Sequence, residues 1–275
     1  MSRLIRLSWL IALGSACASA QGTSKAPDAE SILEMSQQAF YSAGTDMKAK
    51  VTMVLFTEDG KKRSRLLTML RRNEPGSKNQ KYFMYFHEPG DVRRTAFLVW
   101  KYPEKDDDRW IFIPAVNMVR RVAAKDSHSS FAGSDFTYED ISGRDLSADT
   151  HSVVGEEKLG DADCYVVESV PKVESDFTKK LSWIDKETFL PLKEEHYDEH
   201  GELARVFAAD RVEEIPAGEG ASTQVYPTAT KRTMKNVQTG HRTEVIFDSV
   251  AYELGLGEEV FSEQALQSPP LNWIR

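Results

Sequence analysis

The chain has 275 residues, of which 40% are hydrophobic and 28% are charged, and its formal net charge is −8. Nucleic-acid binding needs a net basic face, so this acidic balance argues against a nucleic-acid partner. Aromatic residues make up 10% of the chain and occur throughout it, which argues against intrinsic disorder. The length is sufficient for one large domain with its own hydrophobic core.

Residues 1–20 carry the pattern of a cleavable secretory signal peptide. Two arginines precede a short apolar run, and small residues at 18–20 suit cleavage before Gln21. The run is far shorter than the ~20 residues that cross a bilayer, and no later segment approaches that length, so no membrane-spanning helix is expected. We therefore predict export to the periplasm and a single domain over residues 21–275, whose charge is −10 once the two arginines are removed.

Cys17 leaves a second form of processing open, because it follows Gly14-Ser15-Ala16 in a sequence that is similar to a lipobox. A good lipobox has Leu three residues before the cysteine, where this chain has Gly14. We therefore prefer the cleaved product to a lipoprotein anchored at Cys17. Cleavage leaves Cys164 as the single cysteine, so stability is expected to come from the core rather than from an intramolecular disulfide.

One helix is predicted near the start of the mature chain, over residues 28–43. Its apolar residues, from Ile32 to Phe40, recur at spacings of three and four, which is typical of a helix with one buried face. Asp28 can cap its start and Gly44 can end it. The following two hundred residues differ, because short runs rich in Val, Ile, Phe, Tyr and Thr alternate with turns.

The turns between these runs are short, which predicts an antiparallel meander. A parallel sheet would need crossover helices of about a dozen residues between strands, and the pattern shows none. The predicted fold class is therefore mainly β with few helices (α+β). The thirteen predicted strands are 46–57, 61–73, 80–88, 92–102, 108–114, 116–122, 150–158, 163–171, 179–185, 190–199, 203–213, 224–236 and 240–251.

Three consecutive strands are apolar on both faces, so each of their faces needs a cover. Because few helices are available, we predict an apolar cavity that binds a hydrophobic ligand. Six aromatic residues on these strands are its candidate wall: Phe83, Tyr85, Phe97, Trp100, Trp110 and Phe112. A later strand is mostly polar, and Thr230, Arg232 and Met234 share one of its faces.

The segment 123–149 has no strand pattern and is long for a hairpin connection. It is rich in Ser, Gly and Asp, but Phe131, Phe136 and Tyr138 argue against plain disorder. We predict that it forms a mobile lid and that these three aromatic residues contact the ligand.

Metal and calcium sites are disfavoured by spacing. Residues four apart on a strand lie roughly 13 Å from each other, so one ion could not bind both His196 and His200 unless the turn brought them together. The acidic run 106–108 is explained as well by a charged turn as by a calcium site. No metal and no cofactor are predicted.

A hydrolase is an alternative, because the lid contains the residue types of a base, a nucleophile and an orienting acid. They are His128, Ser129, Ser130 and Asp135, within residues 126–140. Residues so close in sequence rarely meet in triad geometry, because the members of a triad normally come from separate elements.

The region from residue 109 to 140 resembles the signature of a known family. Arg109-Trp110, Pro114 and Arg120-Arg121 precede the block Ser130-Phe131-x-Gly133-Ser134-Asp135-Phe136-x-Tyr138-Glu139-Asp140. This pattern is similar to that of the periplasmic outer membrane lipoprotein-sorting proteins, a family similar to the carrier LolA and the receptor LolB. LolA itself is shorter and lacks the long block at 126–140, so the cargo need not be a lipoprotein.

The resemblance implies an unclosed, curved antiparallel β-barrel wrapped around helices, with an apolar cavity for acyl chains. It implies a carrier of lipid, lipoprotein acyl chains or another hydrophobic compound, without catalysis. RND- or MMPL-type exporters often accompany such proteins, so an inner-membrane transporter of that type is the expected partner. A transporter accessory protein that binds no ligand and an outer-membrane β-barrel stay open as alternatives, although many of the strands are too charged to face lipid.

A charge-assisted bond is expected to pin the lid. Asp135 lies inside it, and Arg120 and Arg121 belong to the strand before it. The alternative role of these three residues is to structure the loop without touching a ligand. The variant Phe131→Asp is expected to weaken lipid binding and to leave the fold intact.

Overall fold

The computed structural model describes residues 27–103, 105–123, 126–173, 175, 177–218 and 223–275. The predicted signal peptide and Cys17 lie outside the described residues. Within them, all thirteen predicted strands are present in one antiparallel sheet, so the antiparallel arrangement and the mainly β fold class are confirmed, with two meanders rather than one.

The strands begin and end within four residues of their predicted positions. The first six are β1 (Asp46–Phe56), β2 (Lys62–Asn73), β3 (Gln80–Glu88), β4 (Ala96–Lys101), β5 (Asp108–Ile113) and β6 (Met118–Val122). The other seven are β7 (Asp149–Leu159), β8 (Ala162–Pro171), β9 (Phe177–Asp185), β10 (Pro191–Asp198), β11 (Leu203–Ala217), β12 (Gln224–Asn236) and β13 (Arg242–Tyr252).

The sheet is open, with the order β6-β5-β4-β3-β2-β1-β13-β12-β11-β10-β9-β8-β7. The first and last strands along the chain, β1 and β13, pair at its centre, and Val51 lies opposite Phe247. β6 and β7 are the two edges. The chain therefore passes from one edge to the other through residues 123–148, which we call the crossover segment. The predicted lid is thus the connection that spans the whole sheet.

The predicted N-terminal helix is present as α1 (Ala29–Tyr41). The Asp28 side chain caps it by accepting a 2.8 Å hydrogen bond from the backbone N–H of Ser31. Ile32 near its start is completely buried in a cluster with residues of β8 and β9. Phe40 near its end packs edge-on against Phe207 of β11, with ring centres 5.8 Å apart. We call the face of the sheet that α1 and the crossover segment cover the inner face.

The opposite, outer face is covered where the strands are apolar on both sides. A segment with two short helices, α3 (Glu263–Gln267) and α4 (Leu271–Ile274), packs on β3, β4 and β5. Phe261 is 1% exposed, and its carbonyl accepts a 2.8 Å hydrogen bond from Nε1 of Trp100. The sequence pattern did not predict these helices, because four or five residues are too few to show a helical period.

Candidate functional site

A small apolar cavity of about 50 Å³ lies on the inner face, between the sheet, the end of α1 and the crossover segment. Its wall residues include Met53, Leu67, Met84, Phe207, Met234 and Phe247. A single water needs roughly 10–15 Å³ on the same measure, so the space holds a few waters and no long acyl chain. An acyl chain could therefore enter only if part of the wall moves.

The crossover segment fills the space beside this cavity with aromatic side chains. Phe131 is 1% exposed, and its ring centre lies 4.8 Å from that of Phe97 on β4 and 6.2 Å from that of Phe86 on β3. Tyr138 meets the Phe131 ring edge-on at 5.7 Å, and Phe136 is also buried. Phe131 and Phe136 line the cavity directly, so the crossover segment forms part of its wall.

The described part of the crossover segment has an internal structure of its own. The backbone N–H of Phe131 donates to the carbonyl of Phe136 at 2.7 Å, and the Ser134 hydroxyl donates to the carbonyl of Phe131 at 2.7 Å. A short helix, α2 (Tyr138–Ser142), follows. Thr137 and Asp140 form a reciprocal capping box at its start. These bonds explain why a loop so rich in Ser, Gly and Asp is ordered.

Two polar contacts anchor this segment to the second half of the sheet. Asp135 exchanges hydrogen bonds with Thr243 of β13. Arg205 of β11 forms a 2.6 Å ion pair with Asp140 and donates to the carbonyl of Asp135 at 3.2 Å.

The predicted ion pair between Asp135 and Arg120 or Arg121 is not formed. Arg121 pairs instead with Asp108 on the neighbouring strand β5, and Arg120 is exposed on the edge strand. The topology explains why. Arg120 and Arg121 stay on the edge strand β6, whereas the crossover segment leaves that edge and places Asp135 beside Thr243 at the centre of the sheet.

A second polar network fixes α2 to the edge strand β7. Arg144 binds Asp149 of β7 at 2.8 Å and Glu139 of α2 at 3.1 Å, and His128 lies 3.2 Å from Glu139. Burial alone would raise the pKa of the Glu139 carboxyl, but the hydrogen bonds and charges of His128 and Arg144 outweigh it and lower that pKa to about 2. Glu139 is therefore ionised at neutral pH, and its carboxylate is bound by Arg144 and His128.

The nine predicted aromatic ligand contacts fall on different sides of the sheet. Phe97, Phe131, Phe136 and Tyr138 belong to the inner-face cluster. Phe83, Tyr85, Trp100, Trp110 and Phe112 lie on the outer face beneath the C-terminal segment, away from the cavity. Side chains alternate along a strand, so neighbours such as Phe83 and Met84 point to opposite faces. The outer five pack in a core, and Tyr85 also lines a separate pocket with His87 and Arg93.

The sequence did not single out the polar part of the cavity wall. Tyr41, Asp140, Glu194 and Arg232 all line it. Glu194 forms a 2.8 Å ion pair with Lys180 of the neighbouring strand. The sequence offers one signal for Arg232. This cation shares a strand face with Thr230 and Met234, so it is expected on the same side of the sheet as an apolar residue.

Three of the four candidate hydrolase residues contact groups outside the predicted set. The Ser130 hydroxyl donates its proton to the carbonyl of Ser134 at 2.6 Å. Asp135 is bound to Thr243, and His128 faces Glu139. Across the residues that the structure describes, no group of three or more His, Cys, Asp or Glu side chains is placed to hold a metal ion.

The comparisons with known proteins agree with this architecture. A family model described as an uncharacterized protein matches residues 78–268, more than half of the chain. A comparison with curated proteins finds no match. In the described part of the chain, no helix combines the length and apolar character needed to cross a membrane.

Three solved structures are similar over most of their length. An outer membrane lipoprotein-sorting protein domain from Vibrio parahaemolyticus is 28% identical with a TM-score of 0.77, over 87% of this chain and 98% of that one. A DUF1329 family protein from Desulfovibrio piger is 28% identical with a TM-score of 0.76, over 86% and 96%. A LolA superfamily protein from Nitrosomonas europaea, 20% identical with a TM-score of 0.64 over 87% and 99%, shares the fold.

Proposed function

This chain belongs to the LolA-like family of outer membrane lipoprotein-sorting proteins, and we propose that it is a periplasmic carrier of lipid, lipoprotein acyl chains or another hydrophobic compound. The observation that carries the proposal is the apolar cavity of the inner face, part of whose wall is a separate segment rather than the sheet itself. A carrier needs such a removable wall, because its cargo must both enter and leave.

The energetics favour loading that can be reversed. Burying one methylene group gains ~0.8 kcal/mol, so about a dozen methylenes gain on the order of 10 kcal/mol. Displacing Phe131 and Phe136 from the core costs roughly 1.5–3 kcal/mol for each side chain. The free energy gained by burying the cargo therefore exceeds the cost of displacing these two side chains by only a few kcal/mol.

The cavity wall is able to adapt to different cargoes. Four of its residues are methionines: Met53, Met69, Met84 and Met234. Methionine is unbranched and flexible, so it fills irregular spaces and rearranges at low cost. Such a wall supports binding of a hydrophobic chain by its apolar character rather than by a fixed shape.

We also propose that an inner-membrane exporter of the RND or MMPL type supplies or receives the cargo. The support for this partner is the family resemblance. A pull-down of the tagged, exported protein with membrane extracts would test it, and recovery of no such transporter after crosslinking would contradict it.

Native mass spectrometry of the protein purified from the periplasm, followed by lipid extraction, tests the carrier role directly. We expect a co-purified hydrophobic molecule that is diminished in Met53→Trp, because the indole fills the cavity. Met118→Trp, at an exposed position on the edge strand β6, is the matched control and should keep the molecule. If no lipid co-purifies and no fluorescent fatty acid binds the folded protein, the carrier role is wrong.

A further inference from the structure

Within the part of the chain that the structure describes, the guanidinium of Arg232 borders the apolar cavity without an acidic partner. The hydrogen bond of its side chain runs from Nε to the carbonyl of Ala229 at 2.9 Å, and among the described residues its two terminal nitrogens have no acceptor. The ring centres of Phe40 and Phe247 lie 4.2 and 4.4 Å from the guanidinium carbon. Aromatic rings therefore hold this cation in place and leave its donors toward the cavity.

The two carboxylates that share the cavity wall do not neutralise Arg232. Glu194 is paired with Lys180 at 2.8 Å, and Asp140 is paired with Arg205 at 2.6 Å. Each of these acids is thus balanced by its own cation. The charge of Arg232 is in excess within the wall.

A second cation, which is buried, increases this excess. Arg71 of β2 is 3% exposed and donates to the backbone carbonyls of Tyr41 and Ala43, which carry no net charge. Burial, together with the charge of Arg71, lowers the pKa of Arg232 to about 10 against the opposing effect of nearby tyrosines, so the group stays cationic at neutral pH.

A cation bordering an apolar space is costly unless an anion meets it. A guanidinium offers paired donors that match a carboxylate or a phosphate. We propose that Arg232 binds the anionic head group of a single-chain amphiphile, such as a fatty-acid carboxylate or a phosphate monoester, whose chain occupies the apolar cavity. This inference rests on the proposed carrier function and specifies the chemical class of its cargo.

The layout of the cavity gives the chain a direction. Arg232 lies on β12, and the wall continues over β13, β1 and β2 to Met84 on β3, beside the crossover segment. Four strand spacings separate β12 from β3, roughly 19 Å along the sheet. The side chains between them are apolar, among them Phe247, Met53 and Leu67. The head group thus lies at Arg232 and the chain extends toward the closing aromatic residues.

The test compares three ligands of equal chain length, palmitate, hexadecyl phosphate and hexadecanol, by calorimetric titration of the delipidated protein. Charge-assisted hydrogen bonds contribute enough to change affinity by about 10- to 100-fold. We expect the wild type to bind at least one anionic ligand about tenfold or more tightly than the alcohol, and Arg232→Met to lose that preference while its alcohol affinity stays within about threefold. The anionic ligand whose affinity falls more in Arg232→Met identifies the head group as carboxylate or phosphate.

The control is Lys231→Met, which removes the neighbouring cation on the other face of β12 and should leave all three affinities unchanged. Arg232→Lys keeps the charge and should retain most of the preference. A wild type that binds hexadecanol as tightly as both anions overturns the inference and leaves the carrier role standing, and this comparison requires no variant to fold. If Arg232→Met weakens all three ligands equally, the head-group role is also wrong. If the wild type binds none of the three, the carrier role itself fails.

Discussion

Asp135 of the crossover segment and Thr243 of β13 are joined by two hydrogen bonds that run in opposite directions. The backbone N–H of Asp135 donates to Oγ1 of Thr243 at 3.0 Å, and the Thr243 hydroxyl donates to Oδ2 of Asp135 at 2.7 Å. Thr243 is completely buried. Together with Arg205, this buried threonine of the central strand anchors the crossover segment, part of the cavity wall, to the sheet.

Thr243→Val should loosen this anchor with little change in shape. The substitution leaves the backbone N–H and the carboxylate of Asp135 without their partner, so we expect the free energy of unfolding to fall by about 1–3 kcal/mol. Release of a bound fluorescent fatty acid, followed by stopped flow, should become several-fold faster. Thr233→Val is the control, because the Thr233 hydroxyl bonds Asp210 at an exposed position. An unchanged release rate in a destabilised Thr243→Val would show that this anchor does not control access.

Phe131 calls for a different substitution from the one that the sequence favoured. Phe131→Asp would bury a carboxylate among aromatic rings, so it is expected to unfold the protein rather than leave the fold intact. Phe131→Ala should cost about 3–5 kcal/mol and enlarge the cavity. Added fatty acid should then raise the Tm of this variant more than that of the wild type.

The matched control for Phe131→Ala is Phe112→Ala, which removes an equally buried ring from the outer face. It should lower the Tm by a similar amount and show no larger response to fatty acid than the wild type. Equal ligand responses in the two variants would contradict a closing role for Phe131.

Glu139 should make the attachment of α2 sensitive to acid. Its pKa is about 2 in the folded protein, below the ordinary value of 4.5, so the ionised carboxylate stabilises the fold by about 3 kcal/mol. That contribution is complete above pH 4.5 and is lost as the pH falls toward 2, with about 2 kcal/mol gone by pH 3.

Urea unfolding at pH 7 and pH 3 measures this effect. Glu139→Gln should lose less stability between the two pH values than the wild type, by about 2 kcal/mol. Glu187→Gln, at an exposed turn, is the control and should behave like the wild type. An equal acid response in Glu139→Gln and the wild type would exclude this carboxylate as the source.

Arg232→Met is expected to make the empty protein more stable. Burial and the charge of Arg71, against the opposing effect of nearby tyrosines, lower the pKa of Arg232 from 12.5 to about 10, which corresponds to a net cost of about 3 kcal/mol for the charged form. Losing the contacts with Phe40 and Phe247 offsets part of this, roughly 1 kcal/mol for each ring. Urea unfolding of the delipidated protein should show a net gain of about 1 kcal/mol, absent in Arg232→Lys. A net loss would mean that the ring contacts dominate.

The strands could be predicted because each is a local pattern bounded by a local turn. The N-terminal helix was predictable for the same reason, since Asp28 and the spacing from Ile32 to Phe40 are contiguous signals. The helices α3 and α4 are too short to carry a period and exist because the outer face of β3 to β5 buries them.

The candidate site was less predictable, because it depends on which face of a strand points inward. Phe83 and Met84 are both apolar, and only the placement of α1 and the C-terminal segment separates their roles. The bond between Asp135 and Thr243 joins residues 108 positions apart, so no local pattern contains it. Arg232 is visible as a charge within a strand, but its partial burial follows from its contact with Phe40 of α1.

The helix α1 and the C-terminal segment each pack on the half of the sheet that is farther from them along the sequence. α1 precedes the first six strands but packs on strands of the second set, and the C-terminal segment follows the second set but packs on β3 to β5. Each half of the sheet is thus covered by a helical segment that belongs to the other half of the chain. A cut within the crossover segment would break the covalent link between the two halves of the sheet. The packing of α1 and of the C-terminal segment and the β1–β13 pairing would stay in place. The two fragments should therefore remain associated and unfold as one cooperative unit.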